Sequence, residues 1–558
     1  MVASRCGRSA PRGADLVSRP THADACRAFR WDDGFAALGW TPDGDVDLGA
    51  TIVDRHARSG RTALRWIGKS GKRTLDFAEL AEATTRCAGA LRALGVQPGD
   101  RVAGFLPRVP ETIVAMIGTW KAGAVWVPIF TGFAPDAVRF RVENSGARVL
   151  CTHRDLRAPL GSLGSATIVT VGGATGADVD FERAVRDASP HTVSAHVRRN
   201  DPAVLLYTSG STGAPKGVMI AANFPLAMYP YVTFGLDVAD DDVFWPTGDP
   251  GWGYGLICYM SALARGVGVV FHEAAPAPEY TLAQLAELRV TNLAATPTLF
   301  RGIMALGADA VRRYGVRLRC VSSCGEPLNG EVVEFFRSTW GLTVADHYGS
   351  SEFGLVIGNA NAIDMPVKPG SMGPPFPGFD MRVVDDEGHE LPPGTVGQIA
   401  MAPSAEGYYA LGYWRDHERT RDMARGGFVA IGDLAQRDAD GYFWFEGRSD
   451  DVIKSAGYRI GPFEVESAIL AHPAVAEAAV VGKPDAVRGD IVKAFVVLKS
   501  GVAPRPGLDD EIVEVVKTHA GRHQAPREIE FVERLPKTET GKIQRFQLRQ
   551  QERAKASR

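Results

Sequence analysis

Short apolar runs alternate with segments of helical spacing along most of the first 360 residues, and this alternation constrains the fold more than any other feature. Residues 75–94 and 111–122 repeat apolar positions at helical intervals, whereas residues 101–106 and 124–129 are short strand-like runs. Strands that alternate with helices are typical of layered α/β folds, so we predict two α/β layers here. The same reasoning predicts further strands at 167–171, 204–207, 267–271, 292–295 and 319–322.

The pattern changes after residue 370, where short strand-like runs are separated by Gly and Pro residues. The runs at 378–384, 397–401 and 441–445 predict a small β-rich, barrel-like unit. A polar Arg-Ser-Asp-Asp string at 448–451 follows this unit and favours a domain boundary.

A compact α+β segment is predicted beyond that boundary, with a helix at 464–471 and strands at 478–481 and 494–498. The length of 558 residues also predicts several structural units rather than one. We therefore expect an α/β and α+β multidomain protein, consisting of an N-terminal extension (1–29), a large domain (30–449) and a small domain (450–558).

The composition is that of an ordinary globular protein, with 45% hydrophobic residues and a formal net charge of -3. Such a balance gives no electrostatic reason to expect a nucleic acid or an anionic membrane as partner. No apolar run reaches the roughly 18 residues of a membrane span. The seven cysteines include no CxxC pair, which favours free thiols in a reducing cytoplasm. A homo-oligomer is compatible with these features.

The string Leu-Tyr-Thr-Ser-Gly-Ser-Thr-Gly-Ala-Pro-Lys-Gly-Val at 206–218 joins a predicted strand to a turn rich in glycine and hydroxyl residues. Glycines let backbone N–H groups approach phosphate oxygens, hydroxyls add donors, and Lys216 adds a positive charge. The loop is not a Walker A motif, because Pro215 and Gly217 flank the lysine. No Gly-x-Ser-x-Gly spacing indicates a hydrolase nucleophile. We predict a phosphate-binding loop rather than a Ser/Gly-rich linker.

This loop resembles that of the adenylate-forming (AMP-binding) superfamily, which includes acyl-CoA synthetases, luciferases and peptide-synthetase adenylation domains. The strings at 457–462 and 536–545 look most like those of medium-chain acyl-CoA synthetases, and Gly-Glu-Pro at 325–327 is shared with acetyl-CoA synthetases. The resemblance covers about residues 50–550. The other family strings follow in order as Tyr-Gly-Ser-Ser-Glu at 348–352, Gly-Asp at 432–433, Gly-Arg-Ser-Asp-Asp-Val-Ile-Lys at 447–454, Gly-Tyr-Arg-Ile-Gly-Pro at 457–462 and Pro-Lys-Thr-Glu-Thr-Gly-Lys-Ile-Gln-Arg at 536–545.

The resemblance implies a two-step ligase that uses ATP and CoA. A carboxylate would attack the α-phosphate of ATP and release pyrophosphate, and the acyl-AMP would then react with CoA to give a thioester and AMP. Because two anions must meet, the first step depends mostly on charge neutralisation and positioning. The implied ATP/AMP site comprises Thr208, Ser209, Gly210, Ser211, Thr212, Gly213, Lys216, Gly325, Glu326, Pro327, Asp346, His347, Tyr348, Gly349, Ser350, Ser351, Asp433, Arg448 and Lys542.

Individual roles also follow from the resemblance. Glu352 corresponds to the Mg²⁺ carboxylate and Thr208 is the second expected metal ligand, since Mg²⁺ takes few protein carboxylates together with substrate phosphates. Tyr348 would stack on the adenine. Asp433 would accept hydrogen bonds from the ribose hydroxyls, assisted by Arg448.

Lys542 corresponds to the adenylation lysine of the family, although by composition alone its polar turn would hold a solvated lysine. Its ammonium would bridge the substrate carboxylate and the α-phosphate. Lys542, Lys216 and Glu352 form the implied catalytic set. Acetylation would remove the bridging charge, so a lysine acetyltransferase and a deacetylase acting on Lys542 are expected partners.

One active site serves both steps in this family because the small C-terminal domain rotates about a hinge. The hinge maps to Asp450, and rotation of the mobile C-terminal domain would withdraw Lys542 and bring in residues 456–458. The residues implied in CoA binding are Ala456, Gly457, Tyr458, Arg459 and Arg488.

The implied acyl pocket consists of Trp252, Gly253, Tyr254, Cys324 and Gly349. Acetyl-specific relatives place a bulky Trp where this chain has Gly349, and a glycine cannot close off the pocket. We therefore expect an acid larger than acetate or propionate. This prediction includes straight medium-chain, branched and aromatic acids.

Three other functions compete with this one. An adenylating enzyme could load an acyl carrier protein instead of CoA, although the string at 457–462 favours CoA. A nucleotide-binding sensor that has lost catalysis is disfavoured because Lys216, Glu352, Asp433, Arg448 and Lys542 are all present. A luciferase-like monooxygenase is chemically feasible, but no sequence feature calls for it.

Overall fold

The computed structural model describes residues 19–208, 215–326, 328–449, 451–455, 458–485, 489–522, 524–537 and 543–556. Its helices are α1 His22–Ala28, α2 Trp31–Leu38, α3 Leu48–Ile52, α4 Phe77–Ala93, α5 Pro110–Lys121, α6 Pro135–Ser145, α7 Arg154–Arg157, α8 Phe181–Asp187, α9 Phe224–Ala227, α10 Gly253–Ala264, α11 Pro278–Glu287, α12 Pro297–Leu306, α13 Ala308–Arg313, α14 Gly330–Trp340, α15 His417–Asp422, α16 Pro462–Leu470, α17 Leu508–His519 and α18 Arg545–Ala556.

The strands are β1 Thr62–Gly68, β2 Gly71–Asp76, β3 Arg101–Phe105, β4 Val125–Pro128, β5 Val149–His153, β6 Thr167–Val171, β7 Val179–Asp180, β8 Pro202–Thr208, β9 Lys216–Ala221, β10 Phe244–Pro246, β11 Val269–His272, β12 Asn292–Ala295, β13 Cys320–Cys324, β14 Ala345–Ser350, β15 Gly354–Gly358, β16 Met381–Val384, β17 Gly397–Met401, β18 Ala410–Tyr413, β19 Ala424–Arg425, β20 Phe428–Arg437, β21 Phe443–Arg448, β22 Ile453–Ser455, β23 Tyr458–Ile460, β24 Val475–Asp485, β25 Gly489–Leu498 and β26 Glu528–Phe531.

The predicted alternation of helices and strands is confirmed, and local signals explain several element ends. The helix predicted at 75–94 is α4, which begins with a capping box between Asp76 and Glu79. Pro110 occupies the first turn of α5, where its missing N–H costs nothing. Gly146 ends α6 in the left-handed conformation that glycine adopts without strain.

Two eight-stranded, mostly parallel sheets form the body of the large domain. Sheet A has the strand order β15-β14-β13-β12-β10-β11-β1-β2, and sheet B has the order β18-β9-β8-β4-β3-β5-β6-β7. One hydrophobic core contains side chains from both sheets, such as Phe271 of sheet A and Trp126 of sheet B, together with most of α5 and α10. The two layers are therefore one folding unit.

The β-rich unit is sheet C, an antiparallel sheet of β16, β17, β19, β20 and β21. Its inner face shares a hydrophobic cluster with sheet A, in which Met381 and Phe443 pack with Tyr348 and Phe353. Sheet C therefore lies beside the end of β14.

The small C-terminal domain contains β22–β26 and α16–α18 with its own hydrophobic clusters, which confirms the predicted α+β class. At the other end of the chain, α1 packs on the large domain, where Nε2 of His22 lies 2.9 Å from the carbonyl oxygen of Pro375. Within the described ranges, no helix is both long and apolar enough to cross a bilayer.

Candidate active site

A cleft of about 1020 Å³ lies between the ends of the sheet A strands, sheet C and the small domain. Ligands of open α/β sheets commonly bind beyond the carboxyl ends of the strands, as here after β13 and β8. The small domain contributes side chains of α16 and α18, including Glu466 and Arg545. The residues predicted from the sequence that line the cleft are Thr208, Lys216, Gly325, Glu326, Asp346, His347, Tyr348, Gly349, Ser350, Ser351, Glu352, Asp433 and Arg448.

Lys216, Glu352 and Tyr413 form a compact triad in this cleft. Lys216 Nζ lies 3.1 Å from Glu352 Oε1 and donates a 2.9 Å hydrogen bond to Tyr413 Oη. Tyr413 Oη in turn donates a 2.7 Å hydrogen bond to Glu352 Oε1. The antiparallel pairing of β18 with β9 brings Tyr413 next to Lys216. Burial raises the pKa of Tyr413, and the neighbouring Glu352 carboxylate raises it further, so the phenol stays protonated.

Two side chains in this cleft offer oxygen ligands that could hold a Mg²⁺ ion. Thr208 pairs with Lys216 across β8 and β9, and its buried Oγ1 has no hydrogen-bond partner among the described residues. The side chain of Glu352 is 7% exposed and its carboxylate faces the same triad. A carboxylate and a hydroxyl are hard oxygen ligands of the kind that Mg²⁺ prefers, so the residues present fit this ion.

Tyr348, Asp433 and Arg448 form a second hydrogen-bonded group. Tyr348 Oη donates a 2.7 Å hydrogen bond to Asp433 Oδ2, and Arg448 donates a 2.8 Å hydrogen bond to Asp433 Oδ1. Asp433 and Arg448 are direct neighbours across β20 and β21. Burial and the nearby Asp433 raise the pKa of Tyr348, so its hydroxyl remains a donor. The group presents an oriented carboxylate at the cleft, as binding of a vicinal diol requires.

Glu326 is held by residues that were not anticipated from the sequence. The Thr298 hydroxyl shares its one proton between the two carboxylate oxygens, which lie 2.9 and 2.8 Å from Oγ1, and Arg301 donates a 2.6 Å hydrogen bond. The preceding Gly325 has φ +96°, which favours glycine, although a Cβ there would meet no atom within 4 Å. This turn presents the fixed Glu326 carboxylate at the cleft.

Asp346 and His347 are buried in the wall of the cleft. Nε2 of His347 lies 3.1 Å from the carbonyl oxygen of Asn359, which assigns the ring proton to Nε2. Nδ1 of His347 is then an acceptor, and it has no partner among the described residues. Burial lowers the pKa of His347 to about 3 and raises that of Asp346, so both groups favour their neutral forms.

Gly349 is a glycine for a reason that the sequence did not reveal. A Cβ on Gly349 would lie 2.0 Å from the carbonyl oxygen of Gly354 and 2.9 Å from Cα of Leu355. The register of β14 and β15 shifts at this point, between Tyr348 and Gly349. In this register, the close approach of the two backbones is a reason for glycine that does not depend on the acid.

The other residues assigned to the acyl pocket are not among those that line the cleft. Trp252 packs against Phe130 and Phe133, with ring centroids 5.6 and 5.5 Å away, and its buried Nε1 has no partner among the described residues. Gly253 begins α10, Tyr254 packs against the core shared by sheets A and B, and Cys324 belongs to that core.

A π-helical turn at Tyr231–Gly235 packs against the cleft-lining His347. The rings of Tyr231 and His347 lie 5.2 Å apart in an edge-to-face arrangement, and Tyr231 Oη is 4.0 Å from Cys258 Sγ. The wall therefore combines aromatic rings with polar atoms.

Several predicted residues lie outside the described ranges: Ser209, Gly210, Ser211, Thr212, Gly213, Pro327, Asp450, Ala456, Gly457, Arg488 and Lys542. For Tyr458 and Arg459 only the backbone is described, in the short strand β23. The structure therefore describes the side chains of much of the predicted nucleotide site, but none of those predicted to bind CoA.

Sequence reasoning missed Tyr413, Thr298 and Arg301. The signal for Tyr413 was an unexplained aromatic run, Tyr-Tyr-Ala-Leu-Gly-Tyr-Trp at 408–414, which lies between β17 and β19 of the β-rich unit. Thr298 and Arg301 follow Pro297 at the start of α12, where a hydroxyl residue and a cation near a strand end could have been noticed.

Comparison with known proteins identifies the family of this chain. The sequence matches the family described as AMP-binding enzyme over residues 53–414 and its C-terminal domain over residues 464–542. It is similar to the acetyl-coenzyme A synthetase of Bacillus subtilis, with 37% identity covering 94% of each chain. It is also similar to the mitochondrial acyl-coenzyme A synthetase ACSM5 of Mus musculus, with 35% identity over 91% of this chain and 89% of that protein.

Among solved structures, the fold superposes on the anthranilate CoA ligase AuaEII in complex with anthranoyl-AMP. The TM-score is 0.83 and the sequence identity is 29%, and the superposition covers 94% of this chain and 100% of that chain. The chain belongs to the AMP-binding enzyme family and is an AMP-forming acyl-CoA synthetase, a ligase that uses ATP and CoA.

Proposed function

We propose that this ligase activates a medium-chain or aryl carboxylic acid larger than propionate. The observation that carries the catalytic part is the convergence of the Lys216–Glu352 pair and the Tyr348–Asp433 pair on one cleft. The first pair provides charge for the phosphates of ATP, and the second provides a carboxylate for its ribose. An acid that enters beside Gly349 would then lie next to both.

The size of the acid is argued from Gly349, which lines the cleft. No side chain projects from this position, which supports an acid larger than acetate, although the backbone contact with Gly354 is a second reason for the glycine. His347 lines the same cleft, and the buried ring of Tyr231 packs edge-on against His347 at 5.2 Å.

Thr208 and Glu352 are proposed to hold Mg²⁺, which would neutralise charge on the phosphates of ATP. We further propose that Lys542 promotes adenylation, and that a rotation about Asp450 then brings residues 456–459 and Arg488 to CoA. The small domain already lines the cleft with Glu466 and Arg545, so a change in its position would alter the site.

Three further proposals concern the cellular setting. Cys26, Cys87, Cys151, Cys258 and Cys320 carry free thiols, which supports a reducing compartment such as the cytoplasm. Control by acetylation of Lys542 and assembly into a homo-oligomer also remain proposals. Mass spectrometry of the protein from its natural host and light scattering of the pure protein test these two.

A panel of acids tests the proposed substrate class. Pyrophosphate release and thioester formation with CoA are measured for straight acids of two to twelve carbons and for benzoates with and without hydroxyl or amino groups. We expect the highest kcat/KM beyond three carbons. Acetate as the best substrate would contradict the proposal, and transfer to a carrier protein but not to CoA would favour the alternative function.

A further inference from the structure

Tyr413 stands between the two charged groups of the nucleotide site and contacts both. Its hydroxyl accepts from Lys216 Nζ at 2.9 Å and donates to Glu352 Oε1 at 2.7 Å. Lys216 also lies over the Tyr413 ring, 4.6 Å from its centroid. The hydroxyl therefore uses its donor and an acceptor position on opposite charges at once.

These contacts matter because Lys216 and Glu352 have separate tasks. The side chains are only 17% and 7% exposed, and the two charges neutralise each other at 3.1 Å. A nucleotide must draw Lys216 toward its phosphates, which removes the cation that Glu352 faces. A buried carboxylate that loses a partner pays a desolvation penalty unless another donor remains.

The Tyr413 hydroxyl is the donor that can remain. Its hydrogen bond to Glu352 does not depend on Lys216, and both contacts of Glu352 fall on the same oxygen, Oε1. Tyr413 is itself fixed, since it is 4% exposed and ends a strand paired with the one that begins at Lys216. The carboxylate can thus keep its orientation while the lysine moves.

We propose that Tyr413 is a positioning residue that orients the Glu352 carboxylate for a cation-bound nucleotide and releases Lys216 to the phosphates. This inference rests on the proposed roles of Glu352 and Lys216. Tyr413 acts through those two side chains and does not itself touch the reacting atoms.

Tyr413→Phe separates this role from simple packing, because it retains the ring and removes only the hydroxyl. The dissociation constant of ATP is measured by calorimetry, with Mg²⁺ and with EDTA, on the otherwise unchanged full chain. We expect binding with Mg²⁺ to weaken about tenfold, as loss of one hydrogen bond to a charged group implies, and binding with EDTA to stay near the wild-type value. The Mg²⁺ ratio, defined as the dissociation constant with EDTA divided by that with Mg²⁺, should therefore fall about tenfold.

The outcomes that overturn the proposal are distinct. Equal weakening of both constants means a packing role, and no change in either means that the hydroxyl has no role in nucleotide binding. A wild-type protein that binds ATP equally well with and without Mg²⁺ would reject the proposed metal role of Glu352, and the role of Tyr413 with it.

Tyr442→Phe is the matched control. Tyr442 also donates its hydroxyl to an oxygen, that of Pro366 at 2.6 Å, and also carries a lysine over its ring, Lys368 at 4.3 Å. It is not among the residues that line the cleft, so its loss should leave the Mg²⁺ ratio unchanged.

Lys216→Met is a second variant that keeps the proposal testable if Tyr413→Phe does not fold. It leaves the bond between Tyr413 and Glu352 in place, so ATP should bind more weakly in both media with the Mg²⁺ ratio retained. Loss of the ratio in this variant would show that Lys216, not Tyr413, orients the carboxylate.

Discussion

Tyr348 and Asp433 are joined by a 2.7 Å hydrogen bond from Oη to Oδ2, although they lie 85 residues apart in the sequence. Arg448 holds the other oxygen of Asp433 at 2.8 Å. The carboxylate therefore has both of its oxygens fixed before a ribose reaches it, which lowers the entropic cost of binding.

Removing the hydroxyl with Tyr348→Phe should therefore weaken ATP binding while the ring stays available for adenine. We expect KM for ATP to rise about tenfold with little change in kcat, since one hydrogen bond to a charged group is lost. Steady-state pyrophosphate release at varied ATP measures both constants. An unchanged KM would show that Asp433 does not need this bond.

Gly349→Ala should destabilise the fold. The new Cβ would lie 2.0 Å from the carbonyl oxygen of Gly354, so β14 and β15 must separate locally, at a cost of about 1–3 kcal/mol. Urea unfolding measures the loss. Gly330→Ala is the control, because its Cβ, at the start of a helix, would lie 3.1 Å from Cβ and 3.9 Å from the carbonyl carbon of Pro369, with no contact below 3.0 Å.

Gly349→Trp should lose at least as much stability and, where it folds, should shift preference toward two- or three-carbon acids. A stable Gly349→Trp variant with unchanged chain-length preference would contradict both the backbone argument and the pocket argument.

Acidification should weaken the protein through His347. Burial lowers the pKa of His347 to about 3, below the value near 6.5 of an unfolded chain. Between these values the unfolded state binds the additional proton, so the stabilisation is complete above pH 6.5 and is lost as the pH falls toward 3. From pH 7 to pH 5 this one group should lower the free energy of unfolding by about 2 kcal/mol.

His347→Phe should remove that part of the loss between pH 7 and pH 5, as measured by urea unfolding at both values. His389→Gln is the control, because the side chain of His389 is 79% exposed. An equal loss of stability in wild type and His347→Phe would mean that His347 is protonated in the folded protein.

Lys542→Ala should abolish acid-dependent exchange of pyrophosphate into ATP and spare thioester formation from supplied acyl-adenylate, because only the first step needs the bridging charge. Lys555→Ala, in the exposed last turn of α18, is the control. An equal fall in both half-reactions would reject the proposed role.

Much of the fold follows from local pattern. The strands predicted at 292–295 and 397–401 are β12 and β17, and the polar string predicted as a domain boundary begins at Arg448, the last residue of β21. Apolar spacing, turn residues and helix caps act over a few residues, so the sequence alone displays them.

Local sequence patterns do not predict contacts between segments that are distant in the chain. The pairing of β1 with β11 joins Leu64 to Val269, and nothing local predicts it. The approach of Tyr413 to Lys216 depends on a sheet register that only the folded chain defines. The approach of Gly354 to Gly349 is local in sequence, but it depends on a register shift within the β14–β15 pair. The family strings identified the charged residues of the site but not the tyrosine that links two of them.

Rapid-quench analysis of the wild-type protein with an accepted acid tests the central claim most directly. Without CoA, we predict that acyl-AMP accumulates together with an equal amount of pyrophosphate. On addition of CoA the adenylate should disappear as thioester and AMP appear in equal amounts. Thioester formed without prior adenylate, or adenylate that reacts only with a carrier protein, would contradict the account.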